Sequence, residues 1–365
     1  MKILITGGHV TPALVIIDKL VKDAQNSLVF VGREYASDSS NSKSFEFHEI
    51  NKRKVKFIHL EAGRLSRIFS LSTVKDLFKF PIGLYHAFRI IGNEKPDIIL
   101  SFGGYIALPI VLAGYIFKIS IYTHEQTIRP GLANKIIGLF ARKIFVAFPQ
   151  AAGYFEINKT IVTGNPIRES IFKIIKKPFT IQKTKPVIYI TGGSLGSHSI
   201  NIHIANILPE LLKKYIVIQQ TGDAAEYRDY EKILEKNKQL LQEQQKNFFP
   251  RKHFFEDEIG YIYNICDLVI GRSGANTFFE MIALKKPAIF IPLPWSANQE
   301  QQEHAKIFKE AQTGEIFDQK DTSENLSLLI DLVMANLGYY SDNFNKLNSY
   351  YEKFDANSII QTISV

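Results

Sequence analysis

The chain opens "MKILITGGHVTPALVIIDKL", with His9 directly behind a short apolar run and two glycines and just ahead of a helical pattern. An imidazole titrates near neutrality, so one held where a strand gives out can take a proton. The plainer use of the same ring is to cap the helix that follows. A second stretch, "TGGSLGSHS" (Thr191 to Ser199), lies between a strand-like run and a helix. Backbone N–H groups, a positive helix end and the Ser194 hydroxyl would converge there, an arrangement that suits a phosphate. No Lys-Ser/Thr pair closes this turn as in a P-loop, and it lacks the dinucleotide spacing.

"GRSGANTFFEMIALKKPAIFIPLP" (Gly271 to Pro294) reads as a strand ending at Gly271, a turn over Ser273 to Asn276 and a helix from Thr277 to Leu284. Glu280 then falls in the first turn or so, where the helix dipole stabilises a carboxylate by about 0.3–1 kcal/mol. It either answers the helix end alone or accepts from both hydroxyls of a ribose. "WSANQEQQEHA" (Trp295 to Ala305) is rich in amides, which donate and accept and so fit a hydroxyl-bearing ring when they are not simply solvated. In the first half, "SFGGYIALP" and "THEQTIRPGLANK" follow strand ends and carry His124 and Glu125, with Pro130 placed to begin a helix. "TGNPIRES" adds Arg168, a cation able to meet a diphosphate. No His/Cys/Asp cluster has metal-ligand spacing and there is no Asp-x-Asp, so no metal site is expected and Arg168 with the helix end would supply positive charge.

The elements that must hold these groups alternate. Strand-like runs "KILIT", "SLVFVG", "KFIHL", "DIILSF", "ISIYT", "KIFVAF" and "IVTGNP" are separated by helical patterns, which predicts a parallel, doubly wound α/β sheet. A basic, proline-punctuated connector (171–186) follows, and "VIYITGGSLGS" restarts the pattern. Further strands are expected at "IVIQQTG", "HFFED", "DLVIGRS", "PAIFIPLP" and "GEIF", with "EYRDYEKILEKNKQLLQEQQKN" a solvated helix. The division is thus 1–170, connector 171–186, 187–345, and a C-terminal helix 346–365 that could pack back on the first domain. Two similar sheets imply a cleft between them.

Composition agrees with this plan. The 365 residues exceed one ordinary core, and a net charge of +8 calls for an acidic partner: nucleic acid, anionic lipid or a phosphorylated ligand. The single cysteine, Cys266, excludes an internal disulfide and suits a reducing compartment. The apolar run after Lys2 is too short for a signal peptide. "IILSFGGYIALPIVLAGYIF" (Ile98 to Phe117) has the length of a membrane span, but its glycines and Pro109 fit a buried strand, a turn and a short helix at least as well.

Taken in order, "TGGH..PAL", "SFGGY...P", "HEQ....GLANK", "VTGNPIR", "TGGSLGS..IN" and "RSGANT..E" resemble the MurG-type N-acetylglucosaminyltransferases that make lipid II for bacterial peptidoglycan. The resemblance runs from Met1 to about Asp321. It implies a GT-B architecture of two Rossmann-like domains, UDP-N-acetylglucosamine (UDP-GlcNAc) on the C-terminal one, lipid I approaching the N-terminal one, and inversion at the anomeric carbon by a single displacement. Carried onto this sequence, Arg168 and Ser194 would hold the diphosphate. Ala275, Asn276, Thr277 and Glu280 would line ribose and phosphates, backbone near Glu256 would face uracil, and Gln299 and Gln301 the GlcNAc ring. Thr6, Gly7, Gly8, Thr127 and Asn134 fall to the acceptor side. His9 would act as general base on the acceptor 4-hydroxyl, with Glu125 the alternative.

No cofactor is implied, although a soluble divalent cation could stimulate the reaction, and the location implied is peripheral, on the cytoplasmic face of the inner membrane. Gly63 to Lys95 mixes Arg64, Arg67, Lys75, Lys79 and Arg89 with Ile68, Phe69, Leu77, Phe78 and Phe80, which fits contact with an anionic membrane surface or, more plainly, a helix with its apolar face in the core. No nucleic-acid module is recognisable, and the oligomeric state is left open. Three departures stand out: the first glycine loop is about three residues shorter than the family's, Thr127 stands where Asn is usual, and His304 stands in the amide loop where Asn is usual. Rival readings are another GT-B UDP-sugar enzyme, such as a glycolipid transferase or an epimerase, and a catalytically silent sugar-nucleotide-binding subunit.

Overall fold

The computed structural model describes residues 1–35, 43–61, 71–193, 195–224, 226–351 and 356–364, with the backbone alone at 71–80 and 351. The chain divides into two units, Met1–Ile167 with Lys353–Val365, and Arg168–Glu352. Arg168 therefore belongs to the second unit.

Among its described residues the first unit is built on seven strands: β1 (Lys2–Thr6), β2 (Ser27–Gly32), β3 (Lys56–His59), β4 (Ile98–Ser101), β5 (Ser120–Glu125), β6 (Lys143–Val146) and β7 (Thr160–Val162). Every pairing is parallel, in the order β3-β2-β1-β4-β5-β6-β7. A parallel sheet is covered on both faces, which is why Ile3, Leu4 and Ile5 are consecutive and all buried. Helix Val10–Leu20 turns Ala13, Leu14, Ile17 and Leu20 into this core, and helix Ala356–Ile363 packs on it with Ile359 and Ile363 buried. Each leucine or isoleucine among them contributes about 1.5–3 kcal/mol by leaving water.

The second unit repeats the plan with β8 (Val187–Thr191), β9 (Ile216–Gln220), β10 (Phe248–Arg251), β11 (Leu268–Gly271), β12 (Ala288–Phe290) and β13 (Gly314–Ile316), all parallel, in the order β10-β9-β8-β11-β12-β13. Helix His198–Lys214 buries Ile200, Ile204, Ile207, Leu208 and Leu211, the three-and-four spacing of a core-facing stripe. In each sheet the order reverses beside the first strand, between β1 and β4 and between β8 and β11. Open α/β sheets bind ligands beyond the strand ends at such a reversal.

The structure corrects three expectations. The strand placed at "HFFED" is Phe248–Arg251 instead, an edge strand where Pro250 costs no ladder bond, and Phe255 already precedes helix Glu256–Ile265. "EYRDYEKILEKNKQLLQEQQKN" is broken into helices Asp229–Lys238 and Gln242–Gln245. The connector is not uniformly exposed: Ile171 is buried, Lys176 N donates to the Asp257 carbonyl, and its first residues pack on helix Glu256–Ile265. The span-like stretch, by contrast, is the buried strand, glycine turn and short helix that its glycines and Pro109 suggest, β4 and helix Ala107–Ile116; among the described residues no helix is long and apolar enough to cross a membrane.

Candidate active site

In the second unit, β8 runs into Gly192 and Gly193, and the chain turns through Gly196 and Ser197 into helix His198–Lys214. Gly196 has φ +80°, and a Cβ there would lie 2.0 Å from the Thr221 carbonyl oxygen, so only glycine lets this turn close against the end of β9. Gln220 pins the turn from that side: its Nε2 donates to the Gly193 carbonyl at 2.9 Å, and its Oε1 accepts from Phe254 N at 2.9 Å. The Gly193 and Gly196 N–H groups are spent inside the turn, on Thr191 Oγ1 and on the Gly193 carbonyl (3.1 Å each), so it is the positive end of helix His198–Lys214 that offers a phosphate stabilisation here. Ser194 lies outside the described residues.

Beside it, β11 ends at Gly271, and the helix begins at Ala275, two residues before Thr277, where the sequence reading began it. Glu280 accordingly lies in the second turn, away from the strongest part of the dipole, and the helix-end explanation of its charge weakens. Ala275, Asn276 and Thr277 occupy the first turn instead. The Glu280 carboxylate is buried and doubly engaged: Arg168 Nε donates to Oε1 at 2.8 Å and the Tyr263 hydroxyl to Oε2 at 2.8 Å. Burial opposes the Arg168 charge, but Glu280 and the nearby Tyr263 and Glu256 outweigh it and raise the guanidinium above its ordinary value; burial and Glu280 push the Tyr263 phenol well up. The groups expected at diphosphate and ribose, Arg168 and Glu280, therefore meet directly. Glu256 opens its helix within electrostatic reach of Arg168.

The amide loop is more internally bonded than its composition suggests. Gln301 Oε1 accepts from Leu293 N at 3.0 Å, and the Gln301 carbonyl accepts from the Ser273 hydroxyl at 2.7 Å, tying the loop to the start of the Ala275 helix. Gln299 is exposed, and both Asn298 and Gln299 hold positive φ, a strained pair of non-glycine residues. His304 is fully buried rather than ligand-facing: Nδ1 donates to the Ser273 carbonyl at 2.8 Å, the ring stacks on Phe278, and burial lowers its pKa to about 4.

In the first unit, Thr6 closes β1 and Gly7 and Gly8 carry the chain to His9, with Gly8 N donating to the Gly103 carbonyl at 2.9 Å. His9 stands at the helix start, yet its side chain caps no helix N–H. Its Nδ1 lies 3.0 Å from the Phe102 carbonyl oxygen instead. A carbonyl only accepts, so Nδ1 carries the hydrogen and the neutral ring keeps its lone pair on Nε2. Glu125, at the end of β5, is 1% exposed and saturated: Oε1 accepts from Thr127 N (2.8 Å) and Oγ1 (2.7 Å), and Oε2 from Asn134 Nδ2 (2.6 Å). A caged carboxylate is poorly placed to collect a proton, and Thr127 and Asn134 are turned toward it. His124 Nε2 donates to the Gly164 carbonyl, and burial lowers its pKa to about 4. Thr6 Oγ1, His124 Nδ1 and Asn134 Oδ1 are buried without hydrogen-bond partners among the described residues, places a ligand or water would complete.

The sequence reading passed over Tyr263, Gln220 and Arg272. Arg272 stood inside a quoted motif, and a charge one residue past an apolar strand end was its signal. Tyr263 and Gln220 had none, because each acts across a distance in sequence.

Residues 6–146 match the glycosyltransferase family 28 N-terminal domain and residues 187–359 the glycosyltransferase family 28 C-terminal domain. The chain is 34% identical over 357 residues to the UDP-N-acetylglucosamine--N-acetylmuramyl-(pentapeptide) pyrophosphoryl-undecaprenol N-acetylglucosamine transferase of Clostridium novyi, covering 94% of this chain and 93% of that protein. In fold it is similar to the crystal structure of Acinetobacter baumannii MurG (TM-score 0.72, 21% identity, 100% and 99% of the two chains covered). It is also similar to UDP-GlcNAc 2-epimerase from Neisseria meningitidis bound to UDP-GlcNAc (TM-score 0.65, 15% identity, 100% and 99% covered).

Proposed function

Because the chain belongs to glycosyltransferase family 28, we propose that it transfers N-acetylglucosamine from UDP-GlcNAc to the 4-hydroxyl of lipid-linked N-acetylmuramyl pentapeptide, giving lipid II. The observation that carries this is the 34% identity to a transferase of that name across 94% of the chain. The second unit takes the donor. The turn after β8 and Arg168 hold the diphosphate, Glu280 the ribose, Ala275 to Thr277 the adjoining phosphate and sugar, backbone near Glu256 the uracil, and Gln299 and Gln301 the GlcNAc hydroxyls.

The first unit supplies the base. His9, its tautomer fixed by the Phe102 carbonyl, accepts the acceptor's hydroxyl proton on Nε2 as that oxygen bonds to C1. The C1–O bond to the β-phosphate breaks with its electron pair leaving on UDP, whose added charge the helix end and Arg168 stabilise. The anomeric carbon inverts, and no covalent intermediate forms. Thr6, Gly7 and Gly8 border the acceptor, while Glu125, Thr127 and Asn134 form the scaffold behind it.

Contact with an anionic membrane is part of the same reading. Ile82, Tyr85, Tyr115, Ile116 and Phe117 are exposed beside Arg89 and Lys118, a basic and aromatic mixture suited to a lipid surface. Of the residues expected there, Arg64, Arg67, Ile68 and Phe69 lie outside the described residues, and the structure describes only backbone at Lys75, Leu77, Phe78, Lys79 and Phe80.

Incubation with radiolabelled UDP-GlcNAc and lipid I in vesicles tests the assignment. Label in a lipid-linked disaccharide is the expected product; free or epimerised sugar, or binding without turnover, overturns it.

A further inference from the structure

Arg33 follows the last residue of β2 in the first unit. In the register of that sheet Thr6 stands opposite both Val31 and Ser101, so Gly8, Arg33 and Gly103 each lie two residues beyond one shared rung, past the strand ends where β1 and β4 part. The Arg33 backbone is pinned: its N–H donates to Glu46 Oε1 at 3.1 Å, and its carbonyl accepts from the buried Ser44 hydroxyl. The side chain is not. Among the described residues the guanidinium makes no hydrogen bond or ion pair, its Nε is buried without a partner, and it lies over the Tyr105 ring, 5.8 Å from the centroid. Tyr105 follows Gly104, whose Cβ position would be 3.3 Å from Gly8 N, so this free cation borders the loop that presents His9.

A partly buried arginine is ordinarily matched by an acid, because desolvating an unmatched charge is costly. The acids at hand are committed elsewhere. Glu34 pairs with Lys43. Glu46 spends Oε1 on the Arg33 backbone, and burial raises its carboxyl above its ordinary value, with the N–H and charge of Arg33 pulling the other way. Backbone donors are spent as well: Gly8 N on the Gly103 carbonyl at 2.9 Å, and Gly103 N on Ser101 Oγ at 3.1 Å. None of the residues expected on the acceptor side, Thr6, Gly7, Gly8, Thr127 and Asn134, is a cation. A negatively charged acceptor therefore meets, past these strand ends, the start of helix Val10–Leu20 and one uncommitted guanidinium.

We propose that Arg33, backed by Tyr105, is an oxyanion-binding residue of the acceptor site, closing in a fork on paired phosphate or carboxylate oxygens of the incoming lipid-linked sugar. This rests on the acceptor assignment of the first unit made above and deepens it. Lipid I offers such oxygens from two sources, its diphosphate and the carboxylates of its peptide stem.

Steady-state kinetics of wild type and Arg33→Met, with urea unfolding of both, test the idea. Arg33→Met keeps the length of the side chain and removes only a charge that no protein group satisfies, so its unfolding midpoint should stay level or rise. Its acceptor KM should rise about tenfold or more, with kcat and donor KM near wild type. Two acceptor analogues, used as substrates or as competitive inhibitors of lipid I, identify the source: one with the stem cut back to a neutral lactyl amide, one with the diphosphate replaced by a neutral alkyl glycoside. The difference between variant and wild type should vanish with the analogue that lacks the group Arg33 holds. An unchanged acceptor KM, a difference that survives both analogues, or a lowered unfolding midpoint with donor and acceptor KM raised alike overturns the proposal. If Arg33→Met does not fold, Arg33→Gln is read in the same way. Wild type that transfers sugar to no lipid-linked acceptor overturns the proposed function itself, a separate result.

Discussion

Arg168 Nε donates to Glu280 Oε1 at 2.8 Å, so the cation expected at the diphosphate and the carboxylate expected at the ribose stand in one ion pair within the second unit. Glu280→Ala would leave both Arg168 and the Tyr263 hydroxyl without their acceptor. The loss should be about 2–3 kcal/mol in urea unfolding, below the cost of a fully buried pair because Arg168 keeps partial access to water. Glu280→Gln retains an acceptor oxygen and should lose about 1 kcal/mol, yet still raise the donor KM about tenfold, since a neutral amide accepts more weakly from ribose hydroxyls. A Glu280→Gln enzyme with wild-type donor KM would reduce Glu280 to a structural role.

The second prediction concerns the proton. With Nδ1 engaged by the Phe102 carbonyl, His9 presents Nε2 as its acceptor, and His9→Ala should lower kcat by roughly 10²-fold while UDP-GlcNAc affinity stays constant. Glu125→Gln should keep turnover close to wild type, because Asn134 can turn its amide over and offer Oδ1 to the new Nε2. The reverse pattern in single-turnover measurements, a silent His9→Ala and a dead Glu125→Gln, would move the base to Glu125.

Why these partners were legible to different degrees follows from sequence distance. The strands of both sheets and their glycine turns are local patterns, continuous apolar runs ended by glycine, and Lys2–Thr6 or Val187–Thr191 can be read directly. The edge strand Phe248–Arg251 was missed because Pro250 argues against a central strand and the aromatic run at Phe254 looked stronger. Side-chain partnerships are non-local: Arg168 and Glu280 are 112 positions apart, and no spacing rule joins them. The burial of His304 was equally invisible, since a loop rich in amides reads as solvated until Phe278 covers the ring.

A third prediction separates two glycines of one turn. Gly193 has φ +86° with open space at its Cβ position, so Gly193→Ala should cost about 1 kcal/mol for the backbone conformation alone. Gly196→Ala meets the Thr221 carbonyl oxygen at 2.0 Å as well and must push β9 and the turn apart. About 3 kcal/mol and most of the UDP-GlcNAc affinity should be lost together. Equal unfolding midpoints for the two variants would show that the turn is free to move.

The last prediction is a pH dependence with a definite sign. His304 and His124 are buried, and burial holds each near a pKa of about 4, below the 6.5 of an exposed imidazole. Between those values the unfolded chain binds protons that the folded one refuses, so stability is greatest above pH 6.5 and falls as pH drops toward 4. Each ring's full contribution is about 3 kcal/mol, roughly two-thirds of it expressed by pH 5. Carboxylates held low by lysine, such as Glu94 and Asp331, lose their stabilising effect only at lower pH, so the two windows separate. His304→Asn should flatten its share of the slope, because an amide N–H can still donate to the Ser273 carbonyl without taking up a proton. Urea unfolding at pH 7, 6 and 5 reads this directly: parallel slopes in wild type and His304→Asn would mean that the buried imidazole does not resist protonation.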